Sequence, residues 1–305
     1  EKLIPDAENF VGTHIFKANE PILEMLGDAL LKVSKFTHSY PHCWRSHTPL
    51  IFRATKQWFI AVDQKPEGEE RTLREIALDE IEKTSFYPET GRKRMTSMVA
   101  NRPDWCFSRQ RDWGVPIALF RVKATGEVIL DEKVLNFIAM IFEMKGSDAW
   151  YTMEIAELLY PGSGYQPEEL EKVNDILDVW FDSGSTWNAV LKSRNYDAGQ
   201  YPTDLYAEGS DQHRGWFHSS LLESVGTRGT APYKNVLTHG YVVDGDGRKM
   251  SKSLGNVVAP QDVIKKYGAE ILRLWVSYED YRNDIAISNE MLKHLADAYR
   301  RIRNT

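Results

Sequence analysis

The sequence predicts an α/β fold in which a doubly wound, mostly parallel sheet is followed by C-terminal α-helices. Two apolar strands, at 204–207 and 235–243, are followed by helical patterns at 212–225 and 260–279, and a last helical pattern covers 288–303. Strands that alternate with helices favour parallel pairing through crossover connections. In such sheets ligands bind at the carboxyl ends of the strands, so we expect the functional site there.

The first part of the chain is predicted to contain helices and short strands. Apolar residues recur at a spacing near 3.6 over 20–33, which predicts a helix. Residues 50–62 are rich in β-branched and aromatic side chains, which predicts one long strand or a pair of strands. The remaining elements are expected, in chain order, at 71–83 (helix), 116–122 and 127–130 (strands), 131–144 and 151–159 (helices), 161–169 (surface loop) and 179–181 (strand).

The composition excludes several classes of protein. No apolar run among the 305 residues approaches the ~18 that a membrane-spanning helix needs. Two cysteines rule out a disulfide scaffold and indicate a reducing compartment. With 38 basic and 44 acidic residues the net charge is −6, so there is no global basic field. The locally basic stretch 92–111 is either a contact for nucleic-acid phosphates or a solvated charged face.

A cationic loop follows the strand 235–243 and the turn 244–247. We call residues 248–256, with the sequence RKMSKSLGN, the lysine loop. Its two lysines and two serines offer charge and hydrogen-bond donors to a polyphosphate whose charge grows in a transition state. For the loop taken alone, a solvated basic turn is the alternative.

Polar residues also follow the strand 204–207, where it gives way to a helix. They are Glu208, Gly209, Asp211 and Gln212. Gly209 permits close approach of a ligand to the backbone, and the start of the helix offers free N–H groups. Asp211 is equally compatible with a plain N-cap, a role that Ser210 could fill. His239, at the end of the next strand, is by itself compatible with a buried structural histidine.

Several motifs together resemble the class I aminoacyl-tRNA synthetases, and among them the isoleucyl enzymes of bacterial or organellar type. They are SRQRDWG at 108–114, WFDSGSTW at 180–187, YAEGSDQHRGWF at 206–217, LTHG at 237–240 and KMSKS at 249–253. The stretch EGSDQHRGWF separates the isoleucyl pattern from the valyl and leucyl relatives. The resemblance implies the second half of a Rossmann-like parallel sheet with connective insertions. The complete enzyme would activate isoleucine with ATP and transfer it to tRNA(Ile).

The resemblance also implies a role for each matched residue. Lys252, together with Lys249, would stabilise the phosphates of ATP, which binds as its Mg²⁺ complex, and Ser251 and Ser253 would donate hydrogen bonds to them. Trp216 and Trp113 would form the wall of the amino-acid pocket, although a tryptophan taken alone is more often a core residue. The isoleucyl-adenylate would be held by Glu208, Gly209, Asp211, Gln212 and His239.

By the same resemblance the chain divides into five parts. They are the exit segment of an editing insertion (1–36), the return into the catalytic domain (37–122), a connective insertion (123–174), the second half of the Rossmann-like domain with the lysine loop (175–257), and stem-contact helices that begin an anticodon-binding domain (258–305). The family's first motif, His-Ile-Gly-His, is absent, and GTHIF at 12–16 lacks its spacing. We therefore expect a piece of a longer enzyme that makes little or no adenylate alone.

The remaining expectations concern metals, assembly and rival functions. Ser46 stands where the second cysteine of a Cys-x-x-Cys pair with Cys43 would fall, so no metal site and no zinc are expected. We expect a monomer without membrane contact in the bacterial cytoplasm, with an organelle as the alternative. A valyl enzyme or another nucleotidyltransferase is the alternative within the enzyme class. A truncated relative that binds tRNA is the alternative outside it.

Overall fold

The computed structural model describes residues 10, 12–43, 46–65, 68–111, 113–191, 200–252 and 254–305. The chain divides into two units, one ending at Thr55 and one formed by Lys56–Thr305. The helices are α1 Asn19–Leu26, α2 Leu73–Lys83, α3 Thr90–Ala100, α4 Glu132–Lys145, α5 Ala149–Thr152, α6 Ile155–Leu158, α7 Val179–Gly184, α8 Thr186–Ala189, α9 Trp216–Arg228, α10 Pro260–Tyr267, α11 Ala269–Tyr278 and α12 Asn289–Asn304. The strands are β1 Phe59–Ile60, β2 Ser85–Tyr87, β3 Trp105–Cys106, β4 Ser108–Arg109, β5 Phe120–Val122, β6 Val128–Ile129, β7 Leu170–Lys172, β8 Ile176–Leu177, β9 Thr203–Gly209, β10 Tyr233–His239, β11 Val242–Val243 and β12 Ile285–Ala286.

The first unit has little core of its own. None of its described residues is buried, and Leu31 and Phe36 are exposed. The helix expected at 20–33 is present but ends early, because Gly27 adopts φ +45° and only a short 3-10 turn, Gly27–Ala29, follows it. Most of a helix's stability in a protein comes from burial of its apolar face. Because this segment is exposed, it forms only a short helix.

A parallel sheet forms the centre of the second unit. Its strand order is β2–β10–β9, and both pairings are parallel, as the alternation of strands and helices predicts. Helices α2 and α9 pack against it around a core that contains Phe86, Phe217, Leu221 and Val236. The helix expected at 71–83 is confirmed as α2, which begins at a capping box between Thr72 and the helical Glu75.

An antiparallel sheet with its own core lies in the connecting region. The order is β6–β5–β7, and α4 to α6 cover it around Trp150, Phe120 and Ile138. The strands expected at 116–122 and 127–130 are present but shorter, and the helical pattern at 151–159 is split between α5 and α6. The loop expected at 161–169 is present with a 3-10 turn at its end.

The C-terminal helices pack on one another around a third core. Gly268, with φ +90°, separates α10 from α11 within the single helical pattern expected at 260–279. Ser288 caps α12 by accepting a hydrogen bond from the Met291 N–H at 3.3 Å. Trp275 and Leu292 lie at the centre of this core.

Two predictions of strands are wrong. The apolar triplet 179–181 belongs to α7, because the Asp178 carboxylate accepts a hydrogen bond from the Trp180 N–H at 3.2 Å and starts a helix there. A short apolar run does not by itself distinguish a strand from a buried helix. Within 50–62 only β1 is a strand, because it alone finds a partner, in β3.

Candidate functional site

The carboxyl ends of β9 and β10 lie side by side because the strands are parallel neighbours. The register pairs Thr238 with Glu208 and His239 with Gly209. Beyond Gly209 the chain turns into a 3-10 helix, Ser210–Arg214, which leads into α9. The sheet therefore brings the two predicted polar strand ends to one edge.

Hydrogen bonds within this turn hold Asp211 and Gln212. The Gln212 amide donates to Asp211 Oδ2 at 3.1 Å, and Gln212 Oε1 accepts from the backbone N–H of Trp216 at 2.9 Å. Gln212 thus satisfies a free N–H at the start of α9, the kind of role that the sequence left open for Asp211 or Ser210. Asp211 instead lies against Tyr241. Burial first, and then a hydrogen bond to this carboxylate, raise the pKa of the Tyr241 phenol.

Two glycines let backbone and side chains approach closely at the strand ends. A Cβ atom on Gly209 would lie 2.8 Å from Asp211 Oδ1, and one on Gly240 would lie 2.2 Å from the carbonyl oxygen of Asn283. The Gly240 N–H also donates to the Tyr281 carbonyl at 2.9 Å. At Gly240 only glycine allows the neighbouring segment to lie against the end of β10.

Asp244 holds both ends of the lysine loop. Its Oδ1 accepts from the Arg248 N–H at 2.8 Å, and its Oδ2 accepts from Asn256 Nδ2 at 2.8 Å and from Arg248 Nε at 3.1 Å. Asn256 Oδ1 in turn accepts from the Ser251 N–H at 2.9 Å. These bonds, led by that from Asn256, lower the pKa of Asp244 to about 2, so the carboxylate is charged at neutral pH.

The two lysines of the loop have different surroundings. Lys249 Nζ lies 4.5 Å from the centroid of the Tyr241 ring, which is a cation–π contact. Lys252 is exposed, and its side chain makes no hydrogen bond or ion pair in the described part of the chain, although its carbonyl accepts from the Gly255 N–H at 3.2 Å. Ser251 is fixed through its backbone, whereas Ser253 lies outside the described residues.

Met250, between these features, attaches the loop to the C-terminal helices. Its side chain packs against the core that contains Val263, Ile271 and Trp275. Its sulfur also accepts a hydrogen bond from the Val258 N–H at 3.3 Å. The backbone of the loop is therefore anchored, while the Lys252 side chain is left in solvent.

The predicted pocket residues Trp216 and Trp113 lie in contrasting environments. The Trp216 ring stacks on Tyr206 with centroids 4.0 Å apart, and its Nε1 donates to the Ser183 carbonyl at 2.9 Å and the Thr186 hydroxyl at 3.0 Å. Trp113 is 93% exposed and makes no ring contact in the described chain. The structure does not bring the two tryptophans together.

A cavity of about 360 Å³ opens at this edge of the sheet. Ser210, Thr238 and His239 line it from the strand ends, and Arg94 and Arg282 line it from α3 and from the segment that follows α11. His239 is exposed, so it is not the buried histidine that its sequence position also allowed. Arg282 is paired with Asp280 at 2.8 Å, and Asp284 also lines the wall, so the cavity carries charges of both signs.

His213 lies buried at the same cavity. Its Nδ1 donates to the Ser210 carbonyl at 2.8 Å, while its Nε2 has no hydrogen-bond partner. Burial is the main cause that lowers the pKa of His213, so the ring is neutral at pH 7 and Nε2 is an acceptor. A Cβ atom on Gly91 would lie 3.1 Å from that nitrogen.

Four residues of this site were missed by sequence reasoning, namely Tyr241, His213, Arg94 and Arg282. Tyr241 directly follows a recognised motif but has no sequence signal of its own. His213 lies inside a recognised motif, and only its burial shows that it lines the cavity. Arg94 comes from a distant part of the chain, and the basic character of 92–111 was the only available indication of it.

The described residues offer neither a metal-binding cluster nor a membrane-spanning helix. Across the described ranges, no three or more His, Cys, Asp or Glu side chains are grouped closely enough to hold a metal ion. No helix in the described chain combines the length and the apolar character needed to cross a bilayer.

The sequence matches the family described as "tRNA synthetases class I (I, L, M and V)" over residues 10–288. The match covers most of the chain, so the chain belongs to this family of class I aminoacyl-tRNA synthetases.

Curated relatives indicate one branch of the family. The chain is 70% identical over 303 residues, 99% of its length, to the isoleucine–tRNA ligase of Sulfurimonas denitrificans. It is 68% identical over 305 residues, its full length, to the isoleucine–tRNA ligase of a Nitratiruptor species. It spans about a third of the length of these relatives, covering 33% of each.

Solved structures show the same fold at low sequence identity. The methionyl-tRNA synthetase of Mycobacterium tuberculosis bound to methionyl-adenylate matches 86% of this chain and 41% of its own, with a TM-score of 0.54 and 17% identity. This likeness confirms the α/β, Rossmann-like fold expected from the sequence.

Proposed function

We propose that this chain is the part of an isoleucine–tRNA ligase that completes its catalytic site. The complete protein activates isoleucine with ATP to isoleucyl-adenylate and then transfers the isoleucyl group to tRNA(Ile). The observation that carries the proposal is that 208–212 and His239 lie at one edge of the parallel sheet, where the lysine loop reaches them through the contact of Lys249 with Tyr241, which lies against Asp211. The 70% identity to a curated isoleucine–tRNA ligase supports isoleucine over the other amino acids of the family.

Activation needs no nucleophile from the protein. The isoleucine carboxylate attacks the α-phosphorus of ATP, a bond from oxygen to phosphorus forms, and pyrophosphate leaves. Catalysis is then positioning and stabilisation of the charge that grows on the departing phosphates. Lys252, which has no partner in the described chain, is available for those phosphates, with Lys249, Ser251 and Ser253 beside it in the loop. Mg²⁺ enters as part of the ATP complex and shares in neutralising this charge.

The strand ends supply the binding surface for the adenylate. Gly209 is buried, and its missing Cβ makes room for the Asp211 carboxylate beside the bound adenylate. Glu208, Asp211 and Gln212 offer carboxylate and amide groups for the ribose and the amino group. The Asp211–Gln212 hydrogen bond and the Gln212 contact to the start of α9 preorganise these groups. His239 is paired with Gly209 on the neighbouring strand and forms the opposite side of the adenylate-binding surface.

Trp216 forms the fixed wall of the isoleucine pocket. Its ring is locked by Tyr206 on one face and by two hydrogen bonds at its edge. Trp113 belongs to the same pocket in this proposal. Its exposed position means that it would have to be brought to Trp216 by ligand or by the rest of the protein.

The remainder of the protein supplies what this chain lacks. In the described residues β9 is an edge strand, with its outer backbone groups unpaired, which supports further strands joining there from another part of the polypeptide. The five-part division made above extends the proposal to the editing insertion before residue 37 and to the stem-contact helices from 258 onward. We propose a monomer that works in the bacterial cytoplasm, in keeping with its bacterial relatives.

Isoleucine-dependent ATP–pyrophosphate exchange by the full-length protein tests the proposal. Isoleucine should give the highest kcat/KM of the standard amino acids. Valine is the most demanding comparison, because it differs from isoleucine by one methylene. Binding one methylene in a hydrophobic pocket contributes only about 1–3 kcal/mol to discrimination, a range established on this very kind of enzyme. The 305-residue chain alone should stay near background. A stronger response to valine, leucine or methionine would contradict the proposed substrate, and clear exchange by the isolated chain would contradict its dependence on the rest of the protein.

A further inference from the structure

A second group of basic side chains surrounds a cavity of about 340 Å³ beside the turn that follows β9. Arg102, Arg214 and His218 line it, and the same three side chains line a smaller adjoining pocket of about 50 Å³. The wall of the larger cavity carries no carboxylate in the described chain. Ser97 and Asn101 add polar groups from the end of α3 and the residue that follows it.

Arg102 forms no ion pair with a carboxylate in the described part of the chain. Its Nε is buried without a hydrogen bond, and its guanidinium lies over the Trp105 ring, 5.3 Å from the centroid. Burial is the main cause that lowers the pKa of Arg102, the charge of Asp178 partly opposes it, and the charge of Arg74 adds to it. A partly buried guanidinium is costly unless an anion neutralises it.

The nearest carboxylate is already in use. Asp178 Oδ2 accepts from Arg109 Nη2 at 2.8 Å and from Trp105 Nε1 at 3.3 Å, and Oδ1 accepts from the Trp180 N–H. Asp178 therefore caps α7 and pairs with Arg109. Its charge acts on Arg102 from a distance, but the two side chains form no hydrogen bond or ion pair in the described chain.

His218 provides the second, independent observation. Only 2% of its surface is accessible, and neither ring nitrogen has a hydrogen-bond partner among the described residues. The backbone of His213 is close to the ring but outside hydrogen-bond geometry. Burial, followed by the charge of Arg102, lowers the pKa of His218 to about 3. A neutral imidazole still has one N–H to donate, and buried donors are normally satisfied.

Arg214 completes the group from the 3-10 helix that carries Asp211 and Gln212. It is exposed and makes no hydrogen bond or ion pair in the part of the chain that the structure describes. Two unpaired guanidinium groups and one imidazole thus face one cavity from different segments. Such a set of donors suits a tetrahedral oxyanion, because each arginine can bind two of its oxygens.

We propose that Arg102, Arg214 and His218 form a phosphate-binding site next to the turn that carries Asp211 and Gln212. The phosphate comes either from a polynucleotide backbone or from free inorganic phosphate. The polynucleotide source rests on the proposed function, in which tRNA must approach this end of the sheet, whereas binding of free phosphate does not.

The test uses the full-length protein with Arg102→Gln and Arg214→Gln. Arg71→Gln is the matched control, since Arg71 is an exposed arginine that pairs only with Asp79. Arg214 is exposed, so its replacement should not disturb folding, and Arg102→Lys should restore part of what Arg102→Gln loses.

Affinity for tRNA(Ile) transcript is measured at several KCl concentrations. If a backbone phosphate occupies the site, each glutamine variant weakens tRNA binding by about 5- to 20-fold. It also makes the plot of log K against log[KCl] less steep by about one unit, the contribution of one phosphate contact. The control stays within about twofold. In a second arm, inorganic phosphate is titrated into tRNA-free protein and followed by ³¹P NMR.

Each outcome decides a separate point. Phosphate binding that depends on both arginines, with tRNA affinity unchanged, assigns the site to free phosphate. Unchanged binding in both arms, with the variants folded, overturns the site. If wild-type protein shows no isoleucine-dependent exchange but phosphate binding still depends on these arginines, the proposed function fails and the site stands.

Discussion

The parallel sheet β2–β10–β9 and the antiparallel sheet β6–β5–β7 each have three strands, but their strand ends differ. In the parallel sheet the ends of β9 and β10 lie at one edge and place His239 beside Gly209. In the antiparallel sheet neighbouring strands end at opposite edges, and the core around Trp150 is largely apolar. Strand direction therefore gathers polar residues into a site in one sheet and not in the other.

The two regions also differ in how side chains are fixed. Around the parallel sheet, polar groups such as Asp244 and Gln212 hold one another in loops and turns through hydrogen bonds. In the antiparallel region, fixed geometry comes from packing, with Trp150 fully buried and its Nε1 bonded to the Val173 carbonyl at 2.9 Å. We infer that the first region supports chemistry and the second supports stability.

The largest expected effect is on the stability of the antiparallel region. Trp150→Ala should lower the free energy of unfolding by about 3–5 kcal/mol, because it empties a buried site and removes a hydrogen bond. Urea unfolding followed by circular dichroism measures it. Trp113→Ala is the control and should change stability by less than about 0.5 kcal/mol, since the ring is exposed. Equal losses of unfolding free energy in Trp150→Ala and Trp113→Ala would contradict the role of Trp150 as a core residue of the antiparallel region.

A second effect concerns Glu223, a buried carboxyl on α9. Burial, with a smaller contribution from Asp182, raises its pKa to about 9, and its Oε1 has no partner. The folded state therefore holds a proton that the unfolded state releases near pH 4.5, so stability is full below that pH and falls as pH rises toward 9.

Comparison with Glu223→Gln isolates this dependence. Between pH 6 and 8 the wild-type chain should lose up to about 1.4 kcal/mol of unfolding free energy per pH unit more than the variant does. Urea unfolding at the two pH values gives the difference. Parallel pH profiles for the two proteins would show that Glu223 is ionised in the fold.

The smallest expected effect concerns the anchoring of the lysine loop by Asp244. In the full-length protein, Asp244→Asn should slow adenylate formation by roughly tenfold, because the loop loses the charged acceptor that ties Asn256 to Arg248. Asp246→Asn is the control, since its exposed carboxylate binds only Arg248 Nη2. The depressed pKa of Asp244 means that its contribution is present above pH 3.8 and lost as pH falls through about 2. Equal rates of adenylate formation for Asp244→Asn and Asp246→Asn would contradict the proposal that Asp244 anchors the lysine loop.

Much of the fold was predictable because periodic patterns and caps are local. α2 begins at a capping box readable as Thr72 and Glu75, and the parallel order follows from alternating strands and helices. The prediction of a strand at 179–181 was wrong, because three apolar residues are too few to show the periodicity of a strand or a helix. The Asp178 cap starts a helix there instead.

The candidate site was less predictable, because several of its contacts join distant segments. The motif residues from Glu208 to Gln212 and His239 could be selected from the sequence, and the structure brings them to one edge. The contact of Tyr241 with Asp211, and the meeting of Arg102 with His218, depend on packing between elements far apart in the chain. No local pattern encodes such contacts.

Lys252→Ala in the full-length protein, assayed by single-turnover formation of isoleucyl-adenylate, tests most directly the claim that the edge of the parallel sheet and its lysine loop form the catalytic site. Lys133→Ala, an exposed lysine on α4 of the antiparallel region, is the matched control. We expect Lys252→Ala to slow the step by about 100-fold or more with isoleucine affinity unchanged, and the control to stay within about twofold. Equal rates for the two variants would contradict the account.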